Sequence, residues 1–331
     1  MFKITAYGVR PNEVDYFKDL NKYDYELNLV EDLLTHENIA TAQGSDAVLL
    51  RANCVADEVN LAKLNEWDIK YVFTRTVGYN HIDLNAAKEF GMKVARVPAY
   101  SPYAVAELAM TLGMTMLHHT AMASENTFNG DFTVPSYLFS REVHSSTVGI
   151  IGTGKIGATE ASLYSGMGAK VLGYDPYPSE YAKQFVEFVE LDELLAQSDI
   201  ISLHVPYFHG QNDQMINAET IAKMKDNAIL INTARGELVD HDAVLNALLS
   251  NKLQSFATDV LPDEKRIFGH KFEDALPNRT VDQLRDLYPR VLMTPHVGSY
   301  TEPALTDMIS VSYENFNQAL TTGKTDNDVE L

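Results

Sequence analysis

The chain has one cysteine, Cys54, among 331 residues, so no disulfide can form within it and a reducing, cytoplasmic setting is expected. Basic residues are scarce: 26 Lys and Arg stand against 46 Asp and Glu, a net charge of -20. That balance argues against nucleic acid or an anionic membrane surface as a partner, since both demand basic patches. The opening segment MFKITAYGVR lacks the long apolar core of a signal peptide, and no uninterrupted apolar run is long enough to span a bilayer. Short-period repeats, low-complexity tracts and long linkers are missing too, and no metal site is read in the pattern. The expectation is a soluble intracellular protein. Its 45% hydrophobic content supports a large buried core, and its length suffices for two domains.

What is present is strand–helix alternation. Short apolar runs at Lys3–Tyr7, Glu26–Val30, Asp46–Leu50, Lys70–Thr76 and Met92–Val97 read as strands. Between them Pro11–Leu20, a short stretch opened by Thr35 and Asn38, Glu58–Glu66 and Leu84–Phe90 read as helices. The pattern breaks at Pro98-Ala99-Tyr100-Ser101-Pro102. One long helix from Tyr103 to about Ala123 is expected next, carrying Met110, Met114, Met116 and Met122 as packing filler in a core or between subunits. Alternation then resumes, with strands at Val148–Ile151, Lys170–Tyr174, Asp199–Val205, Ala228–Thr233, Phe256–Val260 and Val291–Thr294. These six predict a doubly wound parallel sheet, and the amphipathic last helix, from Pro303 to about Leu320, need not belong to it. The fold class is α/β, in two halves.

The second half opens on Gly152-Thr153-Gly154-Lys155-Ile156-Gly157, placed between a strand and a helix. Gly152 allows a tight turn, Gly154 lets backbone approach a pyrophosphate, and Gly157 lets helix and strand pack closely. The helix N-terminus offers N–H groups and a positive dipole end to phosphates. Asp175 ends the next strand, where the dinucleotide fingerprint has an acid for the ribose hydroxyls. No Arg follows in Pro176-Tyr177-Pro178 to accept a 2′-phosphate, so NAD is the expected cofactor.

Ligands of open α/β sheets bind beyond the carboxyl ends of the strands. His204, Arg235, Asp259 and His296 stand at such ends, and Glu264 lies just past the Asp259 strand. With their neighbours Val205, Pro206, Thr233 and Ala234 they are candidates for the cofactor and reaction site. Arg235 can bind a carboxylate bidentately, and His296 can exchange a proton near neutrality. Glu264, paired with His296, would orient it; Asp259 could accept a hydrogen bond from a nicotinamide carboxamide. Singly, each residue is as well explained by a surface ion pair, a helix cap or packing. Their shared sheet edge favours a site.

The segments VGIIGTGKIG, SLHVP, ILINTARGELVD, ATDV followed by Glu264, and TPHVGSYT closely resemble the D-2-hydroxyacid dehydrogenase family, over essentially the whole chain. The resemblance is greatest to the D-lactate, D-2-hydroxyisocaproate and (R)-2-hydroxyglutarate dehydrogenase branch. It implies two Rossmann-like doubly wound parallel-sheet domains with a cleft between them. Residues 1–99, completed by 300–331, would bind substrate, and 100–299 would bind NAD, with hinges near Ala99 and Ser299. It implies a catalytic triad of Arg235, Glu264 and His296, backbone N–H groups of Val77 and Gly78 on the substrate carboxylate, and Tyr100 and Tyr300 along the substrate pocket. A homodimer is implied as well, with the Met-rich helix at its interface. Two departures stand out. The turn before Glu264 is Leu261-Pro262-Asp263, which makes Asp263 a rival. Arg51, in LRANC, places a cation where lactate and hydroxyisocaproate members tend to be neutral, and could bind a distal carboxylate or pair with an acidic neighbour. The expected reaction is reversible reduction of pyruvate or a larger 2-oxo acid to the D-2-hydroxy acid. The alternatives are an (R)-2-hydroxyglutarate dehydrogenase acting on 2-oxoglutarate, a formate dehydrogenase (against which Glu264 argues), and an NAD(H)-sensing corepressor-like binding protein.

Overall fold

A computed structural model describes residues 1–331. They form two compact units, Met1–Ser101 with Tyr300–Leu331, and Pro102–Ser299. No helix is long and apolar enough to cross a membrane.

The smaller unit is built on four parallel strands, β1 (Lys3–Tyr7), β2 (Glu26–Val30), β3 (Ala47–Leu50) and β4 (Tyr71–Thr74), in the order β2-β1-β3-β4. All four residues of β3 are buried because helices cover both faces. On one face lie α2 (Glu58–Glu66) and α3 (Leu84–Glu89), each started by an aspartate side chain, Asp57 or Asp83, that accepts free N–H groups of the first turn. On the other lie α1 (Val14–Asp19) and the C-terminal α11 (Glu302–Thr322), whose Phe316 stacks on Phe73 with ring centroids 4.5 Å apart. Met92–Val97, expected as a fifth strand, runs extended along β4, with Val72 N–H on Lys93 and Thr74 N–H on Ala95, but pairs only through isolated bridges. Its far side takes the C-terminal tail, Val329 N–H bonding Val94. The helix expected after Thr35 is only a 3-10 turn, Ile39–Ala42, because the Asn38 side chain closes a local turn onto Thr35 N–H and the Leu33 carbonyl.

The larger unit begins with two helices where one was expected: α4 (Pro102–Leu117) and α5 (Thr120–Phe128) are separated at His119, which is left-handed at φ 52°. The sheet has seven parallel strands in place of six. Its members are β5 (Thr147–Ile151), β6 (Lys170–Tyr174), β7 (Glu187–Phe188), β8 (Ile200–Leu203), β9 (Ala228–Asn232), β10 (Leu253–Thr258) and β11 (Val291–Met293). The extra strand, β7, is two residues on the edge of β6, too short to show a period. The order β11-β10-β9-β8-β5-β6-β7 puts the topological switch between β5 and β8. Beyond the carboxyl ends at such a switch is where ligands of this architecture bind. Between its strands run α6 (Lys155–Gly166), α7 (Leu191–Gln197), α8 (Ala218–Lys223), α9 (His241–Leu249) and α10 (Arg279–Arg285). Helices α4 and α6 pack one face of the sheet and α8 and α9 the other, so strands such as AILIN in β9 are buried throughout.

Candidate active site

The carboxyl ends of neighbouring strands carry Asp175 after β6, Gly152 after β5, His204 after β8, Arg235 past β9, Asp259 after β10 and His296 past β11. Gly152 turns the chain at φ +90°, and a Cβ there would stand 2.8 Å from the His204 carbonyl carbon. A Cβ on Gly157 would stand 2.0 Å from the Gly152 carbonyl oxygen. Both glycines are therefore demanded by packing. Gly154 is not: its φ is ordinary at -62°, and no atom lies within 4 Å of a Cβ built on it. The fold leaves that space open beside the N-terminus of α6, where no side chain caps the first turn and Lys155 and Ile156 follow. An open cradle at free N–H groups fits a dinucleotide pyrophosphate. Asp175 accepts from Thr153 N–H at 2.7 Å, the Thr153 hydroxyl at 3.2 Å and Tyr177 N–H at 2.8 Å. A carboxylate has about four lone-pair sites, so capacity remains for a ribose hydroxyl.

Arg235 is half buried and has no carboxylate partner; its Nη1 donates only to the Ala234 carbonyl, at 2.6 Å. The loop that presents it is fixed from below by Asn232, a fully buried residue whose side chain accepts from Ala234 N–H and donates to the Arg235 carbonyl. The buried Thr233 hydroxyl has no partner. Gly236 follows because nothing larger fits: its Cβ would stand 2.2 Å from the Leu261 carbonyl carbon. That contact lays the Arg235 loop against the segment leading to Glu264.

His296 Nδ1 lies 2.9 Å from Glu264 Oε2, and the second carboxylate oxygen accepts Leu261 N–H at 3.4 Å. Asp263 instead pairs with Arg266 at 3.2 Å on the surface, so of the two rivals only Glu264 orients the imidazole. His296 is left-handed at φ 54°, a conformation that a non-glycine residue holds only when its surroundings insist. Here the surroundings are Asp259, buried to 2% exposure, which accepts the Thr294 hydroxyl and the N–H groups of Val297 and Gly298. Burial pushes the Asp259 carboxyl up from its ordinary value, while those three donors and the charge of His296 pull it down. The carboxylate read as a partner for a carboxamide thus also holds the turn that carries His296.

His204, read as a cofactor residue, presents its backbone and not its ring to the glycine turn. Its imidazole is buried against Glu160 and Ser202, and only its backbone adjoins the glycine turn, with Val205 Cγ1 2.8 Å from a Cβ on Gly152 and Pro206 next in the chain.

In the smaller unit, Val77 and Gly78 follow β4. Their carbonyls accept from Arg96 and the Thr76 hydroxyl, and their N–H groups have no partner in the chain. Arg51, past β3, lies near Arg10 and Arg75, and neither oxygen of Glu13 reaches it: Arg10 takes Oε1 at 3.1 Å and Arg75 takes Oε2 at 2.8 Å. Burial, then the charges of Arg10 and Arg75, lower Arg51 to about 10 despite the nearby carboxylate. The Tyr300 hydroxyl donates to Asn12, and the Arg10 guanidinium lies 3.9 Å above its ring. Tyr100 is half buried between its two prolines. Sequence reading missed Asn232, Arg10, Glu13 and Arg75; an Asn closing an apolar strand is the one signal that could have been followed.

Residues 108–298 match the family described as D-isomer specific 2-hydroxyacid dehydrogenase, NAD binding domain. An aromatic 2-oxoacid reductase of Clostridium sporogenes is 37% identical over 96% of either chain. A D-lactate dehydrogenase of Lactiplantibacillus plantarum is 38% identical over 99% of each. The crystal structure of a D-lactate dehydrogenase from Treponema pallidum superposes with a TM-score of 0.91 at 30% identity, covering 100% of both chains. The chain belongs to the D-2-hydroxyacid dehydrogenase family. It is an NAD-dependent oxidoreductase acting on the CH–OH group of D-2-hydroxy acids. These relatives do not favour the 2-hydroxyglutarate dehydrogenase or corepressor alternatives.

Proposed function

We propose that this protein acts as a D-lactate dehydrogenase-like enzyme, reducing pyruvate or a larger 2-oxo acid at a site whose reacting groups are Arg235, Glu264 and His296. The observation that carries the reading is the His296–Glu264 bond at 2.9 Å beside an arginine with no carboxylate of its own. Arg235 would hold the substrate carboxylate through its guanidinium fork, with the free N–H groups of Val77 and Gly78 as further donors. Glu264 on Nδ1 leaves Nε2 of His296 for the substrate oxygen. A protonated His296 would polarise the carbonyl and deliver its proton there, and the reverse reaction would return it. NADH supplies the hydride when bound. Its pyrophosphate is assigned to Gly152–Gly157 and its adenosine ribose to Asp175.

On this reading residues 1–99 with 300–331 form the substrate-binding domain and 100–299 the NAD domain. Tyr100, Tyr300 and Arg51 then select the substrate side chain. The test is NADH oxidation with pyruvate, phenylpyruvate, 2-oxoisocaproate and 2-oxoglutarate by wild type, Arg235→Ala and His296→Ala. Undiminished turnover in either variant removes the role given to that residue. Arg51→Ala should change the ranking of the four acids; equal losses on all of them, or none, would remove Arg51 from the site.

A homodimer in a reducing, cytoplasmic setting completes the proposal. Met110 and Met114 pack partly on the core of their own unit, whereas Phe128, Phe132, Val134 and Phe139 just beyond are at least 78% exposed. Such a run of apolar side chains suits a second copy of the chain. Light scattering should give twice the chain mass, and Phe128→Asp with Phe139→Asp should halve it.

A further inference from the structure

Glu160 and His204 form a buried ionisable pair that no step above uses. The Glu160 side chain is fully buried and that of His204 is 2% exposed, with Oε2 2.5 Å from Nε2. Ser202 Oγ lies 3.2 Å from the same nitrogen, and Glu160 Oε1 has no partner in the chain. Removing such groups from water is costly, and an apolar pair of similar volume commonly stabilises a fold at least as well. Stability alone is a weak reason for this pair.

Its position supplies a better one. Glu160 is in the second turn of α6, the helix that starts at the glycine turn. His204 is the first residue past β8, and its N–H bonds the Ile151 carbonyl at 2.8 Å. The glycine turn, the start of α6 and residues 204–205 are all in tight contact, as Gly152 and Gly157 show. Across that wedge Glu160–His204 is the polar side-chain bond from α6 to the end of β8. Apolar contacts tolerate a small slide or rotation of the helix, whereas a hydrogen bond between two named side-chain atoms weakens steeply as its distance and angle change.

We propose that Glu160 is a positioning residue for the dinucleotide: by tying α6 to His204 it sets the aim of the N–H groups at Gly154–Gly157, and so the affinity for NADH. The inference rests on the glycine turn being the pyrophosphate site. It is tested on the full-length protein by the Kd for NADH from fluorescence titration, the KM for NADH and pyruvate, kcat and the melting temperature. Glu160→Ala should raise both Kd and KM for NADH about tenfold, a change of about 1.4 kcal/mol, with kcat at saturating NADH within about twofold of wild type. Glu160→Gln, which can still bond His204, should recover most of that loss. If Glu160→Ala does not fold, Glu160→Leu fills the volume and carries the same expectation. A folded Ala or Leu variant with unchanged Kd for NADH overturns the proposal, even with a lowered melting temperature, and so does a fall in kcat at unchanged KM. Gly154→Ala separates the premise: if it binds NADH normally, the assignment of the turn fails and takes this inference with it. If it weakens NADH while Glu160→Ala does not, the inference alone fails.

Discussion

Asp259 accepts the N–H groups of both Val297 and Gly298, each at 2.8 Å, so one buried carboxylate holds the two residues that follow His296. The left-handed backbone at His296 depends on that grip. Asp259→Asn would turn an NH2 group toward one of the two donors and release it. Misplacement of a reacting group by about 1 Å can cost on the order of a hundredfold in rate. We expect kcat to fall by roughly that factor while Kd for NADH changes less than about threefold. A variant with wild-type kcat would show that the anchor is dispensable.

Glu264 and Asp263 are neighbours with different partners. Removing an outer partner of a functional imidazole typically costs 10–100-fold. Glu264→Gln should therefore lower kcat/KM by about 10–100-fold, whereas Asp263→Asn, at a left-handed position (φ 58°) that Asn also adopts, should stay within about twofold. Steady-state assays with pyruvate at saturating NADH decide between the two acids; the opposite ranking would transfer the pairing role to Asp263.

Gly154 provides a test of cofactor placement that the fold itself does not confound. A Cβ there meets nothing within 4 Å and the backbone is unstrained. Gly154→Ala should melt within about 2 °C of wild type, because it removes only unfolded-state freedom, yet bind NADH at least about tenfold more weakly. Gly152→Ala, forced into φ +90° against His204, should lose stability as well.

His241 gives the fold a pH dependence of its own. Burial against Phe256 lowers its imidazole to about 4, with the Val239 backbone and then the charges of Asp240 and Asp242 pulling weakly the other way. A histidine held neutral by the fold stabilises it fully above the unfolded value near 6.5, and that contribution is lost as pH falls toward 4. For a shift of this size the loss is roughly 3 kcal/mol in all. The raised Asp259 carboxyl acts in the opposite sense, its protonation on acidification favouring the folded state. Between pH 7.5 and 5 the melting temperature of wild type should fall more than that of His241→Gln, by roughly 5 °C. Parallel falls would show that His241 does not govern this window.

Much of this molecule is legible in its sequence because the strands of both sheets are apolar from end to end. Val148–Ile151 and the AILIN segment need no partner to be recognised, whereas the two-residue β7 carries no pattern and the break at His119 sits in residues that keep helical period. The site divides in the same way. Arg235, Glu264 and His296 are conspicuous as polar groups where apolar strands stop. But His204 and Asp259 look the same on paper, and only their bonds, to Glu160 and to the 294–298 turn, show that each faces inward. The need for glycine at 236 depends on Leu261, a contact that no local pattern encodes.

The stacking of Phe316 on Phe73 joins the last helix to the first sheet. A ribosome therefore delivers the whole of Pro102–Ser299 before the smaller unit has its complete core. During synthesis the apolar face of β1, β3 and β4 has to wait for Tyr300–Leu331, and the order of birth reverses the order of completion. A nonsense or frameshift lesion at Tyr300 or shortly after it would thus leave a finished nucleotide domain attached to an open sheet, a species suited to capture by chaperones or proteases rather than to partial activity.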